Sequence, residues 1–425
     1  MAHPISLPNH DRLIAHAGKV GDRLTELAWQ RVDSVSWSGF SLIHRRAASV
    51  RLLGKNLYDG LPGVILFLAY LSSITGEEEY KRLARGALAT LRHQLGETPK
   101  IASVGGYSGV SGIIYLLCHL SVLWNEKDLL EEAEILASLL PEAVDRDERL
   151  NIVSGTAGCL VVLLTLHRLL PSDRILPLAV RCGDHLIAKA LPMRPGVGWP
   201  VKGLSATPLT GFSHGAAGIA WALMELAAVT EEERFFRTAL EATAWERSLF
   251  LPESGNWPDL RYELPPDSDP KLRRCSLMWC HGAPGIGLAR LNMLKHFDNS
   301  DLRMEIETAL QTTLREGFGF SHCLCHGDLG NLELILKASL ELNEPSWPME
   351  LNTLSATILE SIERDGWRCG TPSNIESPGL MTGLAGIGYQ LLRLAKPAQV
   401  PSVLCLAPPV QARNAVRKRF IQATG

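Results

Sequence analysis

A Gly-x-x-Gly motif followed by an apolar run occurs seven times along this chain. Successive motifs begin roughly 45 to 67 residues apart, within or slightly beyond the period of known repeat architectures. The intervals also contain more amphipathic helical patterns, as over residues 79–95, 130–140, 232–250 and 302–316. The repeating unit is therefore predicted to be a helix pair, with a buried helix after the glycines and a half-exposed partner. The first glycines of the seven motifs are Gly60, Gly109, Gly155, Gly215, Gly282, Gly327 and Gly383.

These helix pairs predict an all-α fold, because no segment shows a convincing alternation of apolar and polar residues. Seven pairs can stack as an open solenoid or close into a ring, an α/α toroid (double α-barrel) with the apolar helices inside. The glycines would allow tight turns and close approach of neighbouring helix starts. In a closed ring, the residues before the glycines converge at one end. We predict a toroid over residues 51–410, a helical lead-in packed on it over 1–50, and a C-terminal tail over 411–425.

Composition argues against several classes of function. With 46% hydrophobic and 20% charged residues the chain is globular, and its net charge of −3 indicates no general attraction to nucleic acid. No signal peptide is visible, and the longest apolar run, residues 157–166, is about half the length of a membrane-spanning helix. Nine cysteines without a secretory signal are typical of cytosolic thiols or metal ligands. We expect a soluble, cytoplasmic protein without a transmembrane segment.

Aligning the motifs on their first glycine brings histidines and cysteines into register. The residue before the glycine is histidine in the fourth, fifth and sixth motifs, preceded by serine, cysteine and cysteine respectively. Thiolate sulfur and imidazole nitrogen are ligands that zinc prefers. In a closed ring these positions predict one Zn²⁺ ion with three protein ligands and an open position, as in catalytic zinc centres. The aligned pairs are Ser213 with His214, Cys280 with His281, and Cys325 with His326.

The predicted ligand set is Cys280, Cys325 and one of the histidines His281 and His326, which the register alone does not separate. Cys275 and Cys323 are competing thiols, but they lie outside the positions aligned on the glycines. A free cysteine has a pKa of about 8.5, whereas a thiol coordinated to zinc is deprotonated. The open position therefore favours thiolate chemistry, and activation of water is its other use.

The glycine motifs and the segments WCHGAPGIG, CHGDLGN, GFSHGAAGIA and SPGLMTGLAGIGYQLLRLA together resemble the LanC-like lanthionine cyclases. The resemblance is closest to the cyclase half of class II lanthipeptide synthetases and extends over roughly residues 23–409. It implies an α/α toroid with a central zinc ion held by Cys280, Cys325 and His326. It also implies a reaction in which a cysteine thiol of a dehydrated precursor peptide adds to dehydroalanine or dehydrobutyrine and closes a thioether ring.

By the same resemblance, His214 matches the family histidine proposed to exchange protons in the reaction, and His281 is not a zinc ligand. The chain departs from many relatives at Asn151, where they carry an aspartate thought to support the proton chemistry. An asparagine side chain can form hydrogen bonds but cannot act as a base. Some relatives carry arginine at the position of Ser276, and Arg273 or Arg274 is a candidate replacement. The expected substrate contacts are His281, Arg273, Arg274 and Asp59.

The steps that produce dehydroamino acids require a separate, larger module, because the chain contains no P-loop and no set of kinase motifs. We expect a dehydratase as a partner, either as a separate protein or fused in a longer chain. One alternative is a zinc-retaining scaffold that binds peptides or thiols without turnover, which Asn151 suggests. Another is a different zinc-thiolate alkyltransferase of the α/α-barrel type. Ring formation in a dehydrated peptide would distinguish these functions.

Overall fold

The computed structural model describes residues 9–44, 47–96, 101–262, 269 and 273–410. The predicted C-terminal tail, residues 411–425, lies outside the described residues. No helix in the described part of the chain is long and apolar enough to cross a bilayer.

Helices begin directly after the first glycine of the motifs, or two residues after it in the second motif. Numbered in chain order, these seven helices are α2 (Leu61–Thr75), α4 (Ser111–Leu123), α7 (Thr156–Leu169), α9 (Ala216–Thr230), α11 (Ala283–Met293), α13 (Asp328–Glu341) and α15 (Leu384–Ala395). The other α-helices of the described residues are α1 (His10–Leu27), α3 (Glu78–Gly96), α5 (Asp128–Ser138), α6 (Pro141–Asp145), α8 (Ile175–Lys189), α10 (Glu233–Ser248), α12 (Ser300–Glu316) and α14 (Ser346–Asp365).

The predicted helix pairs are present. Helix α2 is buried on every side from Leu61 to Ser72, whereas α3 buries one face formed by residues three or four apart, such as Leu83, Ala87 and Leu91. Helix α2 packs against α3, and the same arrangement holds for α7 with α8, α9 with α10, α11 with α12, and α13 with α14. Burial of apolar side chains is therefore the main force that assembles each pair.

The last motif helix, α15, has no later α-helix among the described residues to serve as its partner, and α1 from the start of the chain packs against it. Helix α1 buries a stripe that includes Leu13, Ala17, Val20 and Leu24. The helical part of the predicted lead-in is thus the outer helix of the seventh pair.

The predicted lead-in over residues 1–50 contains one helix, α1, and the described residues after it form short strands. Val35 and Trp37 point inward from this segment, and the indole Nε1 of Trp37 donates a hydrogen bond to the carbonyl of Leu24 (2.7 Å). The first two strands after Leu27 have only three residues each, too few for an alternation of apolar and polar residues to be detected. The antiparallel hairpins of the described residues pair β1 (Trp29–Arg31) with β2 (Ser34–Ser36), β3 (Ser38–His44) with β4 (Ala47–Leu52), and β5 (Leu191–Pro192) with β6 (Val197–Gly198).

The second glycine of a motif is required by close approach within its own loop. A Cβ atom at Gly330 would overlap the carbonyl oxygen of Leu324, six residues earlier, and Gly386 stands in the same relation to Leu380. Gly282, the first glycine of the fifth motif, instead has a φ of 91°, a conformation that favours glycine. The glycines therefore make it possible for each loop to fold tightly under the start of its helix.

The chain divides into two compact units. Of the described residues, the first unit contains 9–44, 47–96, 101–102, 112–136 and 319–410, and the second contains 103–111, 137–262, 269 and 273–318.

Candidate functional site

Backbone hydrogen bonds join the motif loops at the position two residues before the first glycine. In the first unit, the N–H of Cys325 donates to the carbonyl of Met381 (2.9 Å), and the N–H of Met381 donates to the carbonyl of Tyr58 (2.7 Å). In the second unit, equivalent bonds run from Ser213 to Cys280 (3.2 Å), from Val153 to Ser213 (3.3 Å) and from Tyr107 to Val153 (3.1 Å). Within each unit, the register found in the sequence is therefore also a structural register.

In the first unit, the imidazole of His326 is oriented by a backbone carbonyl. Its Nε2 lies 2.9 Å from the oxygen of Gly370, and because a carbonyl can only accept, Nε2 carries the proton. The other nitrogen, Nδ1, is then unprotonated in the neutral ring and can act as a ligand. A Cβ atom at Gly370 would collide with His326 Nε2 and with Cys323 Sγ, so the absence of a side chain there allows this arrangement.

Two thiols lie next to His326. Hydrogen bonding with Cys323 and with Cys325 raises the pKa of His326 to about 11, so the free imidazole keeps a proton on both nitrogens near pH 7, and a metal ion would displace the proton of Nδ1. Cys325 is 6% exposed and Cys323 is fully buried. Cys323 was not a predicted ligand because it lies outside the glycine register, and only the folded loop brings it against the imidazole.

Asp59, expected to contact substrate, is bonded to a neighbouring loop of the same unit. Its carboxylate accepts hydrogen bonds from the N–H and the hydroxyl of Thr382 (3.0 and 2.7 Å). Burial raises the pKa of Asp59 to about 6, although the bonds from Thr382 act in the opposite direction. The residue before it, Tyr58, donates its hydroxyl proton to Cys325 Sγ (2.8 Å). Tyr58 was not predicted, although it occupies the same register position as Cys325.

In the second unit, Cys280 is 7% exposed. Its carbonyl accepts hydrogen bonds from the N–H of Ser213 (3.2 Å) and from the Ser213 hydroxyl (3.1 Å). These bonds join the loop of Cys280 to the loop of His214. The loop of His214 is also bonded to helix α10, because the N–H of Gly211 donates to Glu246 of that helix (2.8 Å). Glu246 is in turn paired with the buried Arg290 of α11 (2.7 Å).

The rings of His214 and His281 lie near each other, with centroids 5.8 Å apart. Burial, with a contribution from the cation of Arg261, lowers the pKa of His214 to about 4 and that of His281 to about 3. Both imidazoles are therefore neutral near pH 7. The Nδ1 atom of His214 is buried and has no hydrogen-bond partner among the described residues.

An ion pair that was not predicted lies beside these histidines. Arg261 forms a bidentate pair with Asp259 (2.9 and 2.6 Å), and the hydroxyl of Ser276 donates to the same carboxylate (2.6 Å). Burial acts to raise the pKa of Asp259, but these bonds and the nearby His281 outweigh it and hold the pKa well below its usual range. The only sequence signal was the short spacing of Asp259 and Arg261, which lies outside the glycine register.

Asn151, predicted to replace a catalytic aspartate, closes its own loop. Its Oδ1 accepts hydrogen bonds from the N–H (2.8 Å) and hydroxyl (3.2 Å) of Ser154, and its Nδ2 donates to the carbonyl of Arg149 (3.1 Å). Asn56 lies at the same distance before its own first glycine, and its Oδ1 accepts from the N–H of Asp59 (2.9 Å). Asn56 and Asn151 thus stabilise their motif loops in the same way.

The arginines suggested as replacements at position 276 lie elsewhere on the second unit's loops. The guanidinium of Arg274 stacks over the ring of Tyr262, 4.6 Å from its centroid, and Arg273 is partly exposed. Cys275, a competing thiol, lies 3.5 Å from the hydroxyl of Ser254. It is Arg261 that is joined to Ser276, through the carboxylate of Asp259.

A metal ion would find suitable donors at Cys325 and His326. One nitrogen of His326 is fixed by Gly370, the other can bind a metal, and the thiol of Cys325 is adjacent. Within the described residues there is no group of three or more histidine, cysteine or acidic side chains already arranged to hold a metal. Two of the three predicted zinc ligands thus fit this role in their chemistry and mutual position.

Helix pairs whose loops present cysteine and histidine at the starts of buried helices define an α/α helical-repeat protein. The family model described as lanthionine synthetase C-like protein matches residues 52–405, so the chain belongs to the LanC-like family. The structure is similar to that of nisin cyclase, with a TM-score of 0.64 and 20% sequence identity over 94% of this chain and 96% of that one. The predicted fold class, an α/α toroid, is confirmed by this likeness.

Two characterised relatives share parts of their length with this chain. The lacticin 481/lactococcin biosynthesis protein LcnDR2 of Lactococcus lactis subsp. lactis is 30% identical over 201 residues, which are 44% of this chain and 21% of that protein. The glutathione S-transferase LANCL1 of Danio rerio is 29% identical over 197 residues, 44% of each protein. The matched regions span about a fifth and less than half of these two relatives.

Proposed function

We propose that this protein is a zinc-dependent lanthionine cyclase, which adds cysteine thiols of a dehydrated precursor peptide to dehydroalanine or dehydrobutyrine. The observation that carries the proposal is the Cys325–His326 pair, in which Gly370 holds one imidazole nitrogen and leaves the other for a metal. Membership of the LanC-like family supports it. The register of the motifs adds Cys280 as the third ligand of a single Zn²⁺ ion.

Bound zinc would supply a Lewis acid that keeps the substrate thiol deprotonated near neutral pH. The addition forms a bond between sulfur and the β-carbon, moves the π electrons of the double bond towards the adjacent carbonyl, and requires a proton at the α-carbon. His214 is neutral near pH 7, so it can accept the thiol proton and return it to the α-carbon.

The proposal is tested by measuring zinc and ring formation on the same protein. The substrate is a synthetic peptide with one dehydroalanine and one cysteine, and ring closure is followed by mass spectrometry as loss of the adduct with a thiol-alkylating reagent. We expect one zinc ion per chain and ring formation faster than in buffer. Cys280→Ala and Cys325→Ala should lower both, whereas Cys118→Ala, at a buried thiol within α4, should change neither. Unchanged zinc content in both ligand variants would contradict the proposed metal site.

The zebrafish relative suggests a second candidate, because its name describes transfer involving glutathione, a free thiol. The same zinc-thiolate chemistry would then join two molecules instead of closing a ring. An assay with glutathione and a peptide that has dehydroalanine but no cysteine distinguishes addition of glutathione from ring closure. Addition of glutathione increases the mass of the peptide, whereas ring closure does not. A protein that binds zinc and peptide but accelerates neither reaction would be a scaffold.

We further propose that the partner enzyme is a lanthipeptide dehydratase, either separate or fused in a longer chain, and that both act in the cytoplasm. Support comes from the chemistry of the substrate, whose dehydroamino acids must be made before cyclisation. Co-expression of this protein with a dehydratase and its precursor should yield thioether rings, and omission of the dehydratase should leave the free thiols unchanged.

A further inference from the structure

Tyr58 forms a short hydrogen bond to a predicted metal ligand. Its hydroxyl donates to the Sγ atom of Cys325 across 2.8 Å. An O–H···O bond typically has a length of about 2.7–2.8 Å, and sulfur is larger than oxygen, so this contact is short for a thiol acceptor. Cys325 itself is 6% exposed, which leaves little water to replace the bond if the hydroxyl is lost.

The position of Tyr58 relative to Cys325 is fixed by the backbone. The carbonyl of Tyr58 accepts a hydrogen bond from the N–H of Met381 (2.7 Å), whose own carbonyl accepts from the N–H of Cys325 (2.9 Å). The residues that follow Tyr58 and Met381 are also joined, because the carboxylate of Asp59 accepts hydrogen bonds from the N–H and the hydroxyl of Thr382. Three loops from distant parts of the sequence therefore hold the phenol against the sulfur.

We propose that Tyr58 is a positioning residue that orients and tunes the Cys325 thiolate as a metal ligand. A metal-bound thiol is deprotonated and can only accept, and a phenol donates readily, so the pair is matched in the metal-bound state. Donation to the thiolate withdraws electron density from sulfur and leaves more positive charge on the metal. This inference rests on the proposed zinc site but not on the identity of the substrate.

The test uses Co²⁺ in place of zinc, because bonds between thiolate sulfur and cobalt give a charge-transfer absorption band. In Tyr58→Phe the aromatic ring and its packing remain and only the hydroxyl is lost. We expect the band to move to lower energy, since the sulfur becomes richer in electrons, and Co²⁺ affinity to fall by about 10-fold or more. Tyr115→Phe is the matched control, because its hydroxyl in the same unit bonds the carbonyl of Ala407 (3.1 Å). Its complex should have the wild-type spectrum.

A Tyr58→Phe complex with the wild-type band position would overturn the inference, whatever its affinity. Ring formation by the same samples separates this result from the proposed function. If the wild-type protein binds Co²⁺ with a Tyr58-dependent spectrum but does not close rings, the cyclase proposal fails and the role of Tyr58 stands. A wild-type protein that takes up neither Co²⁺ nor Zn²⁺ would overturn both.

Discussion

Replacement of Asn151 separates a structural role from a catalytic one. The side chain is completely buried and forms three hydrogen bonds within its own loop, two with Ser154 and one with the carbonyl of Arg149. A neutral hydrogen bond contributes about 1 kcal/mol net to stability. Asn151→Ala is therefore expected to lower the free energy of unfolding by about 2–3 kcal/mol. Ring formation per folded molecule should not change.

Asn56 provides the matched control. It makes the corresponding bond to the N–H of Asp59 in the first motif loop, but it is only half-buried, so water can replace part of the lost interaction. Asn56→Ala should lower the free energy of unfolding by less than about 1 kcal/mol. Urea unfolding of both variants, followed by circular dichroism, measures the difference.

Asn151→Asp tests whether the family carboxylate would restore activity. A carboxylate oxygen would face the carbonyl of Arg149 in place of the N–H donor, inside a buried loop. Burial raises a carboxyl pKa above its ordinary value of about 3.9. Because the folded-state pKa is then above the unfolded one, the variant loses stability as the pH rises through that range. The difference in unfolding free energy between the wild-type protein and Asn151→Asp should be larger at pH 7 than at pH 4.

The measurements that decide this prediction are the unfolding free energies and the ring-formation rate of Asn151→Asp at pH 7. An Asn151→Asp protein as stable as wild type, with a clearly higher rate, would refute the loop-closing role. It would show instead that position 151 faces the reaction and that the asparagine limits turnover.

Four further substitutions have expected outcomes. Arg261→Leu leaves the buried carboxylate of Asp259 without its main partner and should destabilise the protein by about 3–5 kcal/mol, as measured by urea unfolding. His214→Gln removes a histidine whose pKa is about 6.5 unfolded and about 4 folded, a stabilising contribution present at pH 7 and lost as the pH falls. The loss of stability between pH 7 and pH 5 should therefore shrink by about 2 kcal/mol in this variant, and an unchanged difference would contradict a neutral His214. Gly386→Ala forces a methyl group against a carbonyl oxygen of its own loop and should lower the melting temperature, whereas Gly18→Ala, in an open part of α1, should raise stability by about 0.5–1 kcal/mol.

Much of the fold and part of the candidate site follow from local sequence patterns. A buried helix is apolar on all sides and its partner on one, so the period and composition of each segment predict the helix pairs. The glycines that precede the buried helices, and the Cys280, Cys325 and His326 pattern beside them, are also local signals. The expectation of a metal site therefore follows from the sequence alone.

No local sequence pattern indicates which distant segments of the chain are in contact. Helix α1 pairs with α15 across nearly the whole chain, and the hydroxyl of Tyr58 meets the sulfur of Cys325, 267 residues away. Cys323 beside His326 and the Arg261–Asp259 pair are close in sequence, but they were missed because they lie outside the glycine register. None of these contacts repeats with a helical or strand period.

The sequence by itself determined the helix-pair repeat and the aligned cysteines and histidines, because these depend on spacing within one helix-pair repeat. Only the tertiary structure decided what surrounds them: which carbonyl orients His326, which hydroxyl contacts Cys325, and that Asn151 bonds to its own loop. The physical reason is that hydrogen bonds depend on atomic distances and directions, which are set only when separate loops pack together.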